Sequence, residues 1–297
     1  MSSVFRNLFA MGTRMDIVLP GINEETGDHI FSLIGTEIYR LEGLLSNYDR
    51  SSTLSKLNHA ASQSPFFVDD ELVELFDCLK RFHASTLGYF DPTITTTAWI
   101  EDIIFKKERC TSGLKGIITS HAEKSILFTI DGTSIDSGGF GKGYAMDKVK
   151  SILMNHNIYQ AFISFGESSV MALGNHPYGE GWKISIPDIY SSESVIDVKL
   201  KNNSMSVSGN TPVNRSKYPD GHIINPLTGI KENKPGIVCV YGPSAFEAEV
   251  LSTSLFIAEK DEQKIILSNF PDYKAIWVSY NFDSRASVVT SNDPIGL

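Results

Sequence analysis

The 297-residue sequence is poor in cysteine and in positive charge. Its three cysteines, Cys78, Cys110 and Cys239, are far apart, and no histidine stands at ligand spacing from them. This excludes a disulfide framework and a thiolate zinc site, so we expect small, buried, apolar cysteines. Lysine and arginine number 26 against 35 acidic residues, and the net charge of −9 argues against a nucleic-acid partner. An acidic chain can still bind a single phosphate through backbone N–H groups, one lysine or a bridging metal.

Long apolar runs are also missing. No window approaches the roughly 18 apolar residues of a membrane span, so we expect none. Residues 1–13 have neither a basic segment nor an apolar core of the signal-peptide kind, which predicts a cytoplasmic protein, or a periplasmic one if a leader has been removed. With 41% hydrophobic and 21% charged residues, the composition is that of an ordinary globular protein.

Apolar periodicity predicts helices mainly in the first half of the chain and strands mainly in the second. Helices are expected over 28–46, over 72–82 with Asp69 or Asp70 as N-cap, after the glycines at 138–141, and over 246–259 and 261–269. Strands are expected at 14–19, 117–119, 126–130, 161–165, 169–173, 182–186, 195–200, 205–208, 236–241, 274–279 and 286–290. Strict strand–helix alternation is absent, so we predict an α+β fold with mixed or antiparallel sheets and packed helices. No boundary divides residues 1–297, which we interpret as one domain, with two interlocked halves as the alternative.

The segment from Asp136 to Asp147 (DSGGFGKGYAMD) joins a strand to a helix. Its glycines let the backbone approach a ligand, and Lys142 stands at the helix start, where an anion would bind. It is not a Walker A loop, because glycine and not serine or threonine follows the lysine. A tight turn with a solvated lysine is the alternative interpretation.

A second candidate lies on the predicted helix over 246–259. Glu249 and Thr253 are four residues apart, so a carboxylate and a hydroxyl share one helical face. Mg²⁺ takes one or two carboxylates and completes its shell with water and phosphates. A solvated glutamate and a threonine bonded back to a carbonyl would give the same pattern.

Three further segments carry polar groups of interest. His222, just before an apolar pair and a Pro/Gly turn, is either the best general base of the chain or a core histidine. Asp91 precedes Pro92, which forces an extended backbone that aims the side chain, although a simple turn is the alternative. Residues 45–58 form either a ligand lid or a capped loop. The remaining histidines, His83 among them, are expected at the surface without partners.

The order of these segments is more specific than any one of them. The succession is Met11-Gly-Thr13, Ser46-x-Tyr48 with Asn58, Gly88-x-Phe-Asp-Pro-Thr93, Asp136-x-Gly with Lys142-Gly-x-Ala-x-Asp147, Ser208-Gly209, His222-Ile-Ile with Pro226-x-Thr-Gly229, and an acid four residues before Thr253. From about residue 5 to 258 the chain resembles the ApbE family of flavin transferases.

The resemblance implies an α+β fold that binds FAD and Mg²⁺. The family moves FMN from FAD to a threonine or serine hydroxyl of an acceptor flavoprotein and releases AMP. Some members instead hydrolyse FAD to FMN and AMP, or only hold FAD, and both remain alternatives for this chain.

The resemblance also assigns residues to roles. Glu249 and Thr253 take the metal positions, with a backbone carbonyl near Gly139 as a third ligand. Lys142 with nearby N–H groups holds the phosphates, and His222 either accepts the acceptor's proton or contacts FAD. The expected FAD contacts are Met11, Thr13, Tyr48, Asp91, Gly138, Gly139, Lys142, Asp147, Ser208 and His222.

The chain departs from the family pattern at three places. The metal acid is Glu249 where the family usually has aspartate, which lengthens the side chain by one methylene. Gly166-Glu-Ser-Ser169 replaces a Gly-Gly-Asp block, and Asn225 replaces the acid of the His-Ile-Ile-Asp-Pro run. All three lie near the expected site, so altered activity is expected before an altered fold.

Overall fold

The fold is built around an eight-stranded antiparallel sheet with helices packed on one face. We describe a computed structural model over residues 3–94, 112–191, 193–211, 223–280 and 286–291. The strand order in the large sheet is β1-β2-β6-β7-β10-β11-β12-β13, and every neighbouring pair is antiparallel. Two smaller sheets have the orders β3-β5-β4 and β8-β9. The predicted α+β class is confirmed.

The helices are α1 (Glu24–Leu45), α2 (Thr53–Ala60), α3 (Asp70–Ser85), α4 (Gly141–Asn155), α5 (Ala245–Ile257) and α6 (Lys260–Ser268). The strands are β1 (Ser3–Ala10), β2 (Thr13–Pro20), β3 (Phe66–Phe67), β4 (Ile117–Ser120), β5 (Ser125–Phe128), β6 (Ala161–Phe165), β7 (Ser169–Leu173), β8 (Trp182–Pro187), β9 (Ser194–Leu200), β10 (Asn203–Asn210), β11 (Gly236–Gly242), β12 (Lys274–Tyr280) and β13 (Ala286–Thr290). None of the helices in these ranges has both the length and the apolar character that crossing a bilayer requires.

The helix starts follow the capping residues in the sequence. The side chain of Asp69 accepts a hydrogen bond from Leu72 N and caps α3, as one of the two predicted caps. Asn23 caps α1 in the same way and extends that helix to Glu24, four residues before the predicted start. The sequence prediction missed β1 and α2, and α2 replaces part of the loop predicted over 45–58.

Two hydrophobic cores lie on opposite faces of the large sheet. In β7, Met171 and Leu173 join the core under the helices, whereas Val170 and Ala172 join the core under the β8–β9 hairpin. Successive strand side chains point to opposite faces, so β7 is buried on both sides. The large sheet is therefore a rigid base, and its helical face supports the elements that carry the polar motifs.

A partly buried carboxylate ties three helices together. Glu71 on α3 accepts hydrogen bonds at 2.8 Å from Lys148 Nζ and Tyr144 Oη of α4, and its other oxygen lies 2.8 Å from Arg40 Nη1 of α1. Burial raises the pKa of Glu71, but the three donors outweigh burial and lower the pKa to about 2. The ionised form therefore stabilises the junction of α1, α3 and α4.

This network predicts an acid-sensitive stability. The pKa of Glu71 is depressed in the folded state, so its contribution is present above about pH 4.5 and is lost as the pH falls toward 2. Glu71→Gln should lower the urea midpoint at pH 7 and flatten its decline between pH 4.5 and 2.5. The exposed Glu74→Gln on the same helix is the matched control and should behave like the unmodified protein. Equal acid slopes for both variants would contradict the assignment.

Candidate active site

The polar motifs meet at a cavity of about 580 Å³ on the helical side of the large sheet. Its wall is formed by the ends of separate segments: Tyr89–Pro92, the glycine-rich loop, β10, the turn after residue 222 and one face of α5. The lining includes Asp91, Asp136, Gly138, Gly139, Lys142, Gly166, Ser208, Pro226, Glu249 and Thr253. Most of the residues predicted for one site are therefore brought together.

A second cavity of about 450 Å³ adjoins the first. The two share Asp136, Gly138 and Lys142, so the glycine-rich loop lies between them. Met11 and Tyr48 line the second cavity, and Tyr48 is 98% exposed. The arrangement offers two compartments joined at one lysine, which suits an elongated ligand with a central anionic group.

The carboxylate of Glu249 lies at this junction. Glu249 is 5% exposed, and its two oxygens accept from Lys142 Nζ at 2.5 Å and from Gly143 N at 2.6 Å. A buried carboxylate is tolerated only when it is paired and hydrogen-bonded, and both conditions are met here. The contact joins the first turn of α4 to the middle of α5, and an ammonium with three N–H donors retains two for a phosphate oxygen.

Thr253 lies one turn beyond Glu249 and also lines the cavity, as the spacing predicts. Its hydroxyl is 2.9 Å from the hydroxyl of Ser208, which is itself 2.8 Å from Ser252 Oγ. These contacts join α5 to β10. A chain of hydroxyls therefore orients the oxygen of Thr253 beside the Glu249 carboxylate.

Asp147, one of the predicted ligand contacts, bonds to the neighbouring helix α5. Its carboxylate accepts from Ser244 Oγ, from Ala245 N at 2.8 Å and from Phe246 N at 3.2 Å, so it binds the first turn of α5. Burial raises the pKa of Asp147 against the opposing effect of these three donors. Asp147 is absent from the described lining of both cavities, and it positions the helix that carries Glu249.

Asp91 is held in place by its own neighbours. Its Oδ1 accepts from Thr93 N at 2.8 Å and from the Thr93 hydroxyl, and its Oδ2 lies 3.7 Å from His83 Nδ1. His83 Nδ1 is also 2.8 Å from the carbonyl oxygen of Phe90. The prediction that His83 lacks partners is therefore wrong, because the chain after α3 turns back over the imidazole.

The glycine-rich loop uses several of its N–H groups internally. Gly138 N donates to Asp136 Oδ1 at 2.8 Å, and Phe140 N and Gly141 N donate to the carbonyl of Ser137. These three N–H groups are already satisfied, whereas the ammonium of Lys142 is a donor that lines both cavities.

The remaining predicted residues have distinct positions. Met11 has a positive φ of 51°, and its N–H donates to Glu42 Oε1 at 2.6 Å at the β1–β2 turn. Thr13 lies behind Gly166, where an added Cβ would be 2.9 Å from Thr13 Cγ2. His222 lies outside the described residues, so its predicted role stays a prediction.

The donor set fits a hard divalent cation. One buried carboxylate and one oriented hydroxyl, Glu249 and Thr253, face the cavity where a phosphate-bearing ligand would lie. The described ranges hold no cluster of three or more histidine, cysteine or acidic residues. Mg²⁺ does not need one, because water and phosphate oxygens fill its other positions. The N–H groups of Lys142 and Gly143 leave further lone pairs on the carboxylate.

Comparison with known proteins identifies the family of this chain. The sequence model of the ApbE family matches residues 11–277, and the chain belongs to the ApbE family. FAD:protein FMN transferases of Klebsiella pneumoniae (strain 342) and Treponema pallidum (strain Nichols) are 25% identical over 280 residues and 24% over 292. The alignments cover 86% and 88% of this chain, and 79% and 78% of those proteins.

Solved structures share the fold. The flavin transferase ApbE of Vibrio cholerae superimposes with a TM-score of 0.81 at 21% identity, over 98% of this chain and 97% of that chain. The ApbE protein of Thermotoga maritima gives 0.79 at 24% identity, again over 98% and 97%.

Sequence reasoning missed two elements of the site. Asp136 is part of a predicted motif but not among the predicted ligand contacts, yet it lines both cavities. Gly143 allows α4 and α5 to touch, because an added Cβ would lie 2.7 Å from Phe246 Cα and closer still to the carbonyl oxygen of Ala245. The glycine on each side of Lys142 was the available signal, but it does not reveal the partner helix.

The close approach at Gly143 gives a test of the junction. Gly143→Ala should destabilise the protein by about 1–3 kcal/mol, because the methyl group meets the backbone of α5. Gly43→Ala in α1 is the matched control, since no atom lies within 4 Å of its added Cβ, and it should stabilise by about 0.5–1 kcal/mol. Thermal melts of both variants measure this, and equal shifts would contradict the packing.

Proposed function

We propose that this chain is an FAD:protein FMN transferase that attaches FMN from FAD to a serine or threonine hydroxyl of an acceptor flavoprotein and releases AMP. Membership of the ApbE family and the names of its relatives support the activity. The structural observation that carries it is the pair of cavities that share Lys142, whose ammonium is paired with Glu249 in the first cavity. A dinucleotide has this form, with two bulky ends and a diphosphate between them.

The reaction breaks the bond between the riboflavin-side phosphorus and the bridging oxygen of FAD. The acceptor hydroxyl oxygen bonds to that phosphorus, AMP leaves with the bridging oxygen, and the hydroxyl proton passes to a base or to solvent. Charge on the diphosphate must be neutralised for this displacement. Lys142, which lines both cavities, binds a phosphate oxygen there.

Glu249 and Thr253 would hold Mg²⁺, with a backbone carbonyl near Gly139 as a further ligand. When bound, the ion supplies additional charge neutralisation at the diphosphate oxygens. Ser208 orients the Thr253 hydroxyl, and Asp147 fixes the helix on which both ligands stand. His222 is the proposed acceptor of the hydroxyl proton.

Transfer is tested by incubating the protein with FAD, Mg²⁺ and a domain that bears an Asp-x-x-Ser/Thr segment. AMP is quantified, and the intact mass of the acceptor is measured. We expect an FMN-sized mass gain matched by AMP. Glu249→Ala should lower both by about 100-fold or more, the size of effect seen when one electrostatic stabiliser of a transition state is removed.

Glu247→Ala is the matched control, because Glu247 stands on the same helix and is outside the described lining of both cavities. It should retain transfer. Equal AMP release without the acceptor would support an FAD pyrophosphatase instead, and bound FAD with no product would support an FAD-binding protein. Absence of FAD binding would overturn the proposal.

A further inference from the structure

We propose that Asn47 is a positioning residue that, through Asp136, fixes the glycine-rich loop between the two cavities for FAD. The inference rests on the proposed function for its ligand, since it assumes that the two cavities take FAD. It concerns a residue that the family resemblance does not assign.

Asn47 reaches the loop through one carboxylate. Asn47 Nδ2 donates to Asp136 Oδ1 at 2.8 Å, and Gly138 N donates to the same oxygen at 2.8 Å. The backbone N–H of Asp136 donates to the carbonyl of Pro92, also at 2.8 Å. Asp136 therefore joins the turn after α1, the Asp91–Pro92 segment and the glycine-rich loop, and it lines both cavities.

Other contacts hold the residues on either side of Asp136, and these contacts do not involve its carboxylate. Asn58 donates to the carbonyl of Ile135 at 2.9 Å and accepts from Ile135 N at 2.8 Å, while Ser137 Oγ donates to Leu45 O at 2.8 Å. These bonds hold the chain on either side of Asp136. Asn47 differs because, together with Gly138 N, it bonds to the carboxylate itself.

The local cost of Asn47 argues against a purely structural role. Its Oδ1 is buried and has no hydrogen-bond partner among the described residues. A buried amide oxygen without a partner is unfavourable. We therefore attribute the presence of Asn47 to the other end of its amide, the Nδ2–H group that donates to Asp136.

The direction of the Asp136 carboxylate matters because its charge lies beside an anionic substrate. Asp136 and Lys142 line both cavities, and a diphosphate bound to Lys142 would face this carboxylate. Donors from Asn47 and Gly138 hold the negative charge in a fixed place and neutralise part of it. Without Asn47, the carboxylate is free to turn toward Lys142 and compete with the phosphates.

The test compares Asn47→Ala with Asn47→Asp by titrating FAD against each full-length protein. Flavin fluorescence gives the Kd between pH 5 and 8, and circular dichroism melts confirm folding. We expect Asn47→Ala to raise the Kd about tenfold at every pH. Asn47→Asp should raise it further at pH 8, because two carboxylates then meet at hydrogen-bond distance.

The pH profile separates positioning from a structural effect. As the pH falls, the two carboxyl groups of Asn47→Asp share one proton, which restores a hydrogen bond, so its Kd should approach that of the unmodified protein near pH 5. Glu42 and Lys142 also line the second cavity and are unchanged in Asn47→Ala, so that variant is the reference for the pH profile. The exposed Asn155→Asp controls for added charge and should leave the Kd unchanged.

Unchanged Kd values for Asn47→Ala and Asn47→Asp would overturn the inference, as would a loss in Asn47→Asp that does not recover at low pH. Failure of the proposed function is distinguished in the same series. If the unmodified protein binds FAD but forms neither FMN-acceptor nor AMP, the transferase proposal fails while the Kd profile still decides the role of Asn47. If the unmodified protein does not bind FAD, both fail.

Discussion

The buried carboxylate of Glu249 is the interaction on which the site depends. It is bonded at once to the ammonium of Lys142 and to the N–H of Gly143, so it fixes the start of α4 against the middle of α5. Asp147 makes the reciprocal contact, from α4 to the first turn of α5. Each helix therefore supplies one acid that bonds to the other helix, and these contacts set the geometry of the junction. Both contacts require the close helix approach that Gly143 allows.

The same contacts explain why a charged site can exist in the interior. Glu249 is buried and Asp147 partly buried, and each accepts two or more hydrogen bonds, which offset the cost of removing it from water. The sheet beneath is buried on both faces at β7 and cannot shift easily. Rigid packing below and paired charges above leave a polar cavity whose groups are oriented before any ligand arrives, which is the condition for electrostatic stabilisation.

Local features of the chain were predictable, and contacts between distant segments were not. The strands Ala161–Phe165 and Ser169–Leu173 match the prediction because alternation and turn residues define them. β1 was missed because Phe5 and Phe9 are exposed on an edge strand, and α2 because eight residues carry too short a periodic signal. Glu249 and Thr253 could be paired from helical spacing, whereas Asn47 and Asp136 are 89 residues apart and meet only in the fold.

The most direct test of the account is a crystal structure of the protein grown with FAD and Mn²⁺, with the metal located by its anomalous scattering. We expect one anomalous peak at the junction of the two cavities, in contact with Glu249 and Thr253, with the FAD diphosphate beside Lys142. The flavin and adenine ends would then occupy separate cavities. Ordered FAD outside these cavities, or a metal peak bound by other residues, would contradict it.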